Sequence, residues 1–161
     1  MDANACRATL ARLIGEDIDA LTQLMGLLDI EHGYLLANDV TALQEAMRRR
    51  QGCVTRILRV DQERAALCRV SGRANSLAGL TQLMRWCDPE GSLAAQWGRC
   101  AQLAGQAQQL NDRNGALVGA RLKHVQDRLG TLLDNRRGTH TYGRRGQETV
   151  MDSGRLLAAE A

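Results

Sequence analysis

Apolar side chains recur along this chain at intervals of three and four residues. From about residue 3 to residue 37 they are Leu10, Leu13, Ile14, Ile18, Leu21, Leu24, Met25, Leu28, Leu35 and Leu36. That spacing gathers them on one side of a helix and turns Arg12, Asp19 and Gln23 toward water. Ala37-Asn38-Asp39 then offers a turn and a capping residue. A second helix is expected from about residue 40 to residue 70, with Leu43, Met47, Val54, Ile57, Leu58, Ala65 and Cys68 on its seam. Arg50 and Asp61 interrupt that seam, so either they snorkel to its edge or the stripe shifts there.

Residues 71–76, SGRANS, have the composition of a loop, and Ser76 can cap a short helix over residues 77–87. DPEGS at 88–92 is a turn that ends in another serine able to cap. The last helix is expected over residues 93–135. Its seam is read as Leu93, Trp97, Cys100, Ala104, Ala107, Asn111, Asn114, Val118, Val125, Leu129 and Leu132, with Arg121 in a gap. The four-three alternation is the coiled-coil period. The expected fold is therefore all-α: an elongated antiparallel bundle of three long helices plus one short helix over residues 1–135. Residues 136–161 hold five arginines and four glycines and are expected to form a flexible, disordered basic tail.

Composition supports helices over sheets. There is no Phe, and only two Trp and two Tyr are present, too few aromatics for the faces of a sandwich or barrel. The net charge of +3 is too small to imply nucleic acid by itself. Arginine clusters at 48–50, 136–137 and 144–145 would suit phosphates, but the bundle lacks aromatics for base stacking, so no nucleic-acid partner is expected. Five cysteines without a CxxC pair read as small reduced hydrophobes. Neither a signal peptide nor an apolar run of about 20 residues is visible, so a cytoplasmic protein without membrane insertion is expected. His32, His124 and His140 share no helical face, and no catalytic, phosphate-binding or metal-ligand motif is present. Neither an enzyme nor a cofactor or metal is expected.

Three features stand out. The last helix carries Gly98, Gly105, Gly115, Gly119 and Gly130, each costing about 1 kcal/mol against alanine in a helix interior. They either make room for a neighbouring helix or soften this one for a docking partner. Asn111 and Asn114 fall on the apolar seam, where a polar residue commonly fixes register; the alternative is that they bond a bound segment. Tyr142 sits among glycines and arginine pairs, in a stretch that cannot bury its backbone cheaply.

Leu110, Asn111, Asn114 and Gly115, followed by a long helix and then by Thr141, Tyr142, Gly143 and Gly146, resemble the FlgN family of flagellar export chaperones. The specific likeness lies in the C-terminal third. Earlier, only helix length and the stretch ANDVTALQEAMRRRQ agree, with arginines where family members often have a lysine. The resemblance implies a chaperone that captures the C-terminal helical ends of hook–filament junction proteins. Such a chaperone delivers its cargo to the cytoplasmic domain of the flagellar export gate, with the export ATPase complex as a further partner. It also implies that Tyr142, flanked by Thr141 and Gly143, docks on the gate, as a portable apolar anchor with a polar tip would. Leu110, Asn111, Asn114, Leu117 and Val118 are the candidate cargo-binding residues. A structural coiled-coil oligomer is the competing expectation, and a nucleic-acid-binding helical protein that uses the arginine clusters is a less favoured one.

Overall fold

A computed structural model describes residues 2–137, with side chains to residue 131. Four helices follow one another: α1 (Ala3–Ala37), α2 (Val40–Val70), α3 (Leu77–Cys87) and α4 (Ser92–Arg137). The described residues are all-α and contain no strand. By its contacts the chain divides into two compact units, Met1–Gly119 and Ala120–Ala161.

The helix ends follow local chemistry. Asp2 accepts a bond from the Ala5 N–H, which would otherwise lack an intrahelical partner. α1 closes on Asn38, in the left-handed region at φ 58°, a conformation asparagine tolerates better than most residues. Asp39 then caps α2 through Ala42 N–H at 3.0 Å, so two residues suffice to reverse the chain. Ser76 caps α3 by accepting from Gly79 N–H at 3.2 Å. The cap of α4 differs from the expectation. Asp88, not Ser92, accepts from Leu93 N–H at 2.6 Å, while the Ser92 hydroxyl donates to the same carboxylate. A carboxylate can accept both bonds and also meet Arg7, whose Nε lies 3.1 Å from the other oxygen. These contacts, the Leu93 bond foremost, hold the Asp88 carboxyl below its usual range.

Cross-helix contacts in the first unit give the register. Arg12–Glu63, Arg59–Glu16, Arg56–Gln23 and Arg50–Glu31 set α2 antiparallel to α1. Arg7–Ser92, Asp17–Cys100 and Leu28–Asn114 set α4 parallel to α1, each pair separated by roughly the same number of residues. Arg50–Asn111 and Arg64–Trp97 close the third side. This is a three-helix bundle, up-down-up, with α3 covering one end through Leu80, Leu83, Met84 and Cys87.

Cys6, Leu10, Ile14, Leu21 and Leu28 of α1 meet Cys68, Leu93, Cys100 and Ala107 in the core. On α4, Leu93, Cys100, Ala107 and Asn114 are buried at intervals of seven residues. Between them Trp97, Leu103 and Leu110 pack against the core. The inner seam therefore uses Leu103, Leu110 and Leu117, and the expected Ala104, Asn111 and Val118 stand one position outside it. The first part of α2 is displaced in the same way: Ala46, Cys53 and Val60 are buried, whereas Met47 and Leu58 are exposed; Ile57, Ala65 and Cys68 face inward as expected. Small side chains let α2 approach α1 closely, and the larger apolar residues fall on the flank. Of the two interruptions, Arg50 does reach inward to a buried partner and Asp61 stays at the edge beside Arg64. Leu36, expected on the inner face of α1, is 61 % exposed at its end.

Candidate functional site

Three polar clusters sit inside the first unit. Asp17, nearly buried, receives Arg64 Nη1 at 3.3 Å and the Cys100 thiol at 3.4 Å, and the Arg64 guanidinium lies 4.8 Å over the Trp97 ring. Burial, reinforced by Asp17, pushes the Cys100 thiol up to about 12. Further along, buried Glu31 meets Arg50 Nη1 at 3.3 Å, and Arg50 also donates to Asn111 Oδ1. Burial raises the Glu31 carboxyl above its ordinary range, and Arg50 only partly offsets that. Asp17 Oδ1 and Glu31 Oε1 have no hydrogen-bond partner among the described residues.

The third cluster is built on Asn114. Its amide nitrogen donates to the Leu28 carbonyl at 2.8 Å, and its Oδ1 lies 3.0 Å from His32 Nδ1. An amide oxygen only accepts, so the proton between them belongs to His32 Nδ1.

The residues singled out from the sequence therefore have different surroundings. Leu110 packs against the core, Asn111 is exposed and bonded to Arg50, and Asn114 is buried. Leu117 is half-buried, and Val118 is 49 % exposed. Thr141, Tyr142 and Gly143 lie outside the described residues. Of the five cargo candidates, Val118 offers the most exposed apolar side chain.

The described part of the second unit is the end of α4. On it Leu122, Val125 and Leu129 are 57, 51 and 53 % exposed. Their three- and four-residue spacing places them on one face. Val125 and Leu129 belong to the expected seam of the last helix, and Leu122 joins them from outside it. Among the described residues no group of three or more His, Cys, Asp or Glu is placed to hold a metal, and no helix is long and apolar enough to cross a membrane.

A second surface lies on the first unit, where no single stretch of sequence marks it. Between α1 and α2 runs an open groove of about 530 Å³ with Leu27 and Cys53 in its floor, Gly26 and Gly52 in its walls, and Arg49 and Arg56 along one side.

Taken by class, this is an all-helical bundle protein whose last helix carries exposed aliphatic residues at coiled-coil spacing. The chain belongs to the FlgN family, whose model, described as FlgN protein, matches residues 6–149. It is also similar to a crystal structure from Pseudomonas aeruginosa of a protein assigned to flagella synthesis as a FlgN. That match has 29 % identity and a TM-score of 0.63, covering 68 % of this chain and 86 % of the other. No curated protein matches the chain. The role of the protein is thus a flagellar one.

Proposed function

We propose that this chain is an export chaperone of the flagellar type III secretion system. It holds the C-terminal helical ends of hook–filament junction proteins and delivers them to the cytoplasmic domain of the export gate. The observation that carries this reading is the exposed face of Leu122, Val125 and Leu129 on α4. Subunits made to polymerise have adhesive terminal helices, and a helix with an uncovered apolar face is a temporary partner for them. Full withdrawal of a large aliphatic side chain from water contributes about 1.5–3 kcal/mol, and these three, already about half covered, contribute roughly half of that each, which suits a weak and reversible grip. Delivery rests on the family resemblance at Tyr142.

The test is calorimetric titration of the full chain with a synthetic peptide of a junction protein's C-terminal helix. Leu122→Glu combined with Leu129→Glu should abolish the heat of binding while leaving helix content intact, because neither residue is buried. Unchanged binding in that variant would remove the stripe from the cargo site. Light scattering keeps the rival in view: a dimer that forms without cargo and dissolves in the variant would assign the stripe to self-association.

A further inference from the structure

The groove between α1 and α2 faces away from the core. At 100° per residue, Gly26 and Ile30 lie about 160° and about 200° around α1 from Leu28, the residue that packs beneath Asn114. Its floor is apolar, from Leu27 and Cys53, and Ile30 extends that surface at 44 % exposure. Gly26 and Gly52 notch the two walls: a Cβ placed on either would meet nothing within 4 Å. The opening is therefore a surface feature of the bundle with room for side chains of another molecule.

Its charge is the second observation. Six arginines lie between residues 48 and 64 on α2. Four are paired with carboxylates: Arg48 with Glu45, Arg50 with Glu31, Arg59 with Glu16 and Glu63, and Arg64 with Asp17 and Asp61. The other two are Arg49, with no carboxylate beside it among the described residues, and Arg56, whose one partner among them is the neutral Gln23 amide at 2.9 Å. Both line the groove. Within this stretch the bundle satisfies the other four arginines with carboxylates, and among the described residues it leaves positive charge uncompensated where the surface is concave and apolar. Arg69, at the end of α2, is likewise without a carboxylate among them but lies outside the groove.

We propose that this groove docks an acidic amphipathic helix of a protein partner, independently of the apolar stripe on α4. Arg49 and Arg56 are seven residues apart, about 10.5 Å along α2. A helix laid along the groove meets both guanidinium groups with carboxylates at positions i and i+7. Its apolar residues at i+3 and i+4 then fall between them, over Leu27 and Cys53 and into the glycine notches. Arginine forks favour carboxylates, which gives the groove its preference in sign.

The experiment uses the full chain and a fluorescent helical peptide with Glu at i and i+7 and Leu at i+3 and i+4, followed by anisotropy at low salt. The same peptide with Lys at both acidic positions is the control, and oleate is the competing apolar anion. The acidic peptide is expected to bind and the Lys peptide not to bind. Arg49→Glu combined with Arg56→Glu should weaken binding about tenfold or more, since like charges then face each other. Gly52→Leu fills the notch and should abolish binding. Because leucine suits a helix better than glycine, that variant should melt no lower than the parent. Equal binding of the Lys peptide, binding that survives Gly52→Leu, or no binding of the acidic peptide would each overturn the proposal. Oleate binding that is tighter than the peptide and lost in Gly52→Leu would also overturn it, in favour of an amphiphile site.

Discussion

Asn114 donates its amide N–H to the main-chain carbonyl of Leu28 at 2.8 Å, across the interface between α4 and α1. The same side chain accepts from His32 one turn further along α1. A single asparagine thus reads two successive turns of a neighbouring helix, and only one register of α4 satisfies both. Asn114→Ala is expected to lower stability by about 1–3 kcal/mol in urea denaturation, because it leaves a cavity and an unpaired His32 Nδ1–H in a half-buried place. Asn111→Ala, by contrast, removes an exposed bond to Arg50 and should change stability by less than about 0.5 kcal/mol. If both variants unfold alike, Asn114 does not set the register.

The difference between these neighbours shows how far sequence carries. The all-helical bundle was legible in the three-four spacing, and Asn114 was recognisable as a polar residue on an apolar seam. What spacing left ambiguous was the choice within Leu103-Ala104, Leu110-Asn111 and Leu117-Val118, because a 3.5-residue period tolerates either member. Packing decides it: the leucines fill the space beside α1. Likewise Ala46, Cys53 and Val60 form the inner face of α2 because small side chains bring the helices together, which hydrophobicity alone does not reveal. Asp17 and Glu31 look like solvated positions until Arg64 and Arg50, distant in sequence, are brought beside them. The groove at Gly26 and Gly52 was invisible for the same reason. Two glycines on different helices form a notch only once the register is known.

Gly79 is constrained by contact and not by torsion. A Cβ there would lie 2.1 Å from the Ala74 carbonyl oxygen, which is backbone and cannot step aside alone. Gly79→Ala should therefore cost about 1–3 kcal/mol despite alanine's better helix propensity. Gly52→Ala, with open space around it, should gain up to about 1 kcal/mol. Melting temperatures that move in the same direction for both would contradict this account of α3.

Glu31 gives the bundle an unusual pH response. Its folded-state carboxyl is raised above the ordinary value of 4.5, chiefly by burial. A raised carboxyl favours the folded state when protonated. Its contribution is fully present below the unfolded value and is lost as pH rises through the folded one. Glu31→Gln removes this titration, so the variant's stability relative to the parent should increase from pH 4 upward and then level off. The slope is at most about 1.4 kcal/mol per pH unit for one proton. Glu16 and Glu63 act in the opposite sense, since bonds from Arg59 and Arg12 hold their carboxyls low. Their contribution is present above 4.5 and fades as pH falls through the lowered values. Chemical denaturation of parent and variant across pH 4–8 separates the two, because the parent-minus-variant difference isolates Glu31. A difference that stays flat would mean that Glu31 is not desolvated in solution.

Tyr142 tests the delivery half of the proposed function. It belongs to the Thr141-Tyr142-Gly143 motif and lies outside the described residues. If it anchors the chaperone to the export gate, Tyr142→Ala should leave the melting temperature unchanged, since no core contact is lost. Cargo affinity should also survive, because the proposed cargo surface is on α4. Binding to the purified cytoplasmic domain of the gate, measured with cargo bound, should fall by about thirtyfold, the consequence of losing about 2 kcal/mol at an aromatic anchor. Tyr142→Phe divides ring from hydroxyl: retained binding means an apolar pocket, and a loss equal to that of alanine means that the hydroxyl carries the contact. Should the alanine variant instead melt several degrees lower while gate binding barely changes, Tyr142 packs against the helices as a structural contact. Delivery would then have to use another part of the chain.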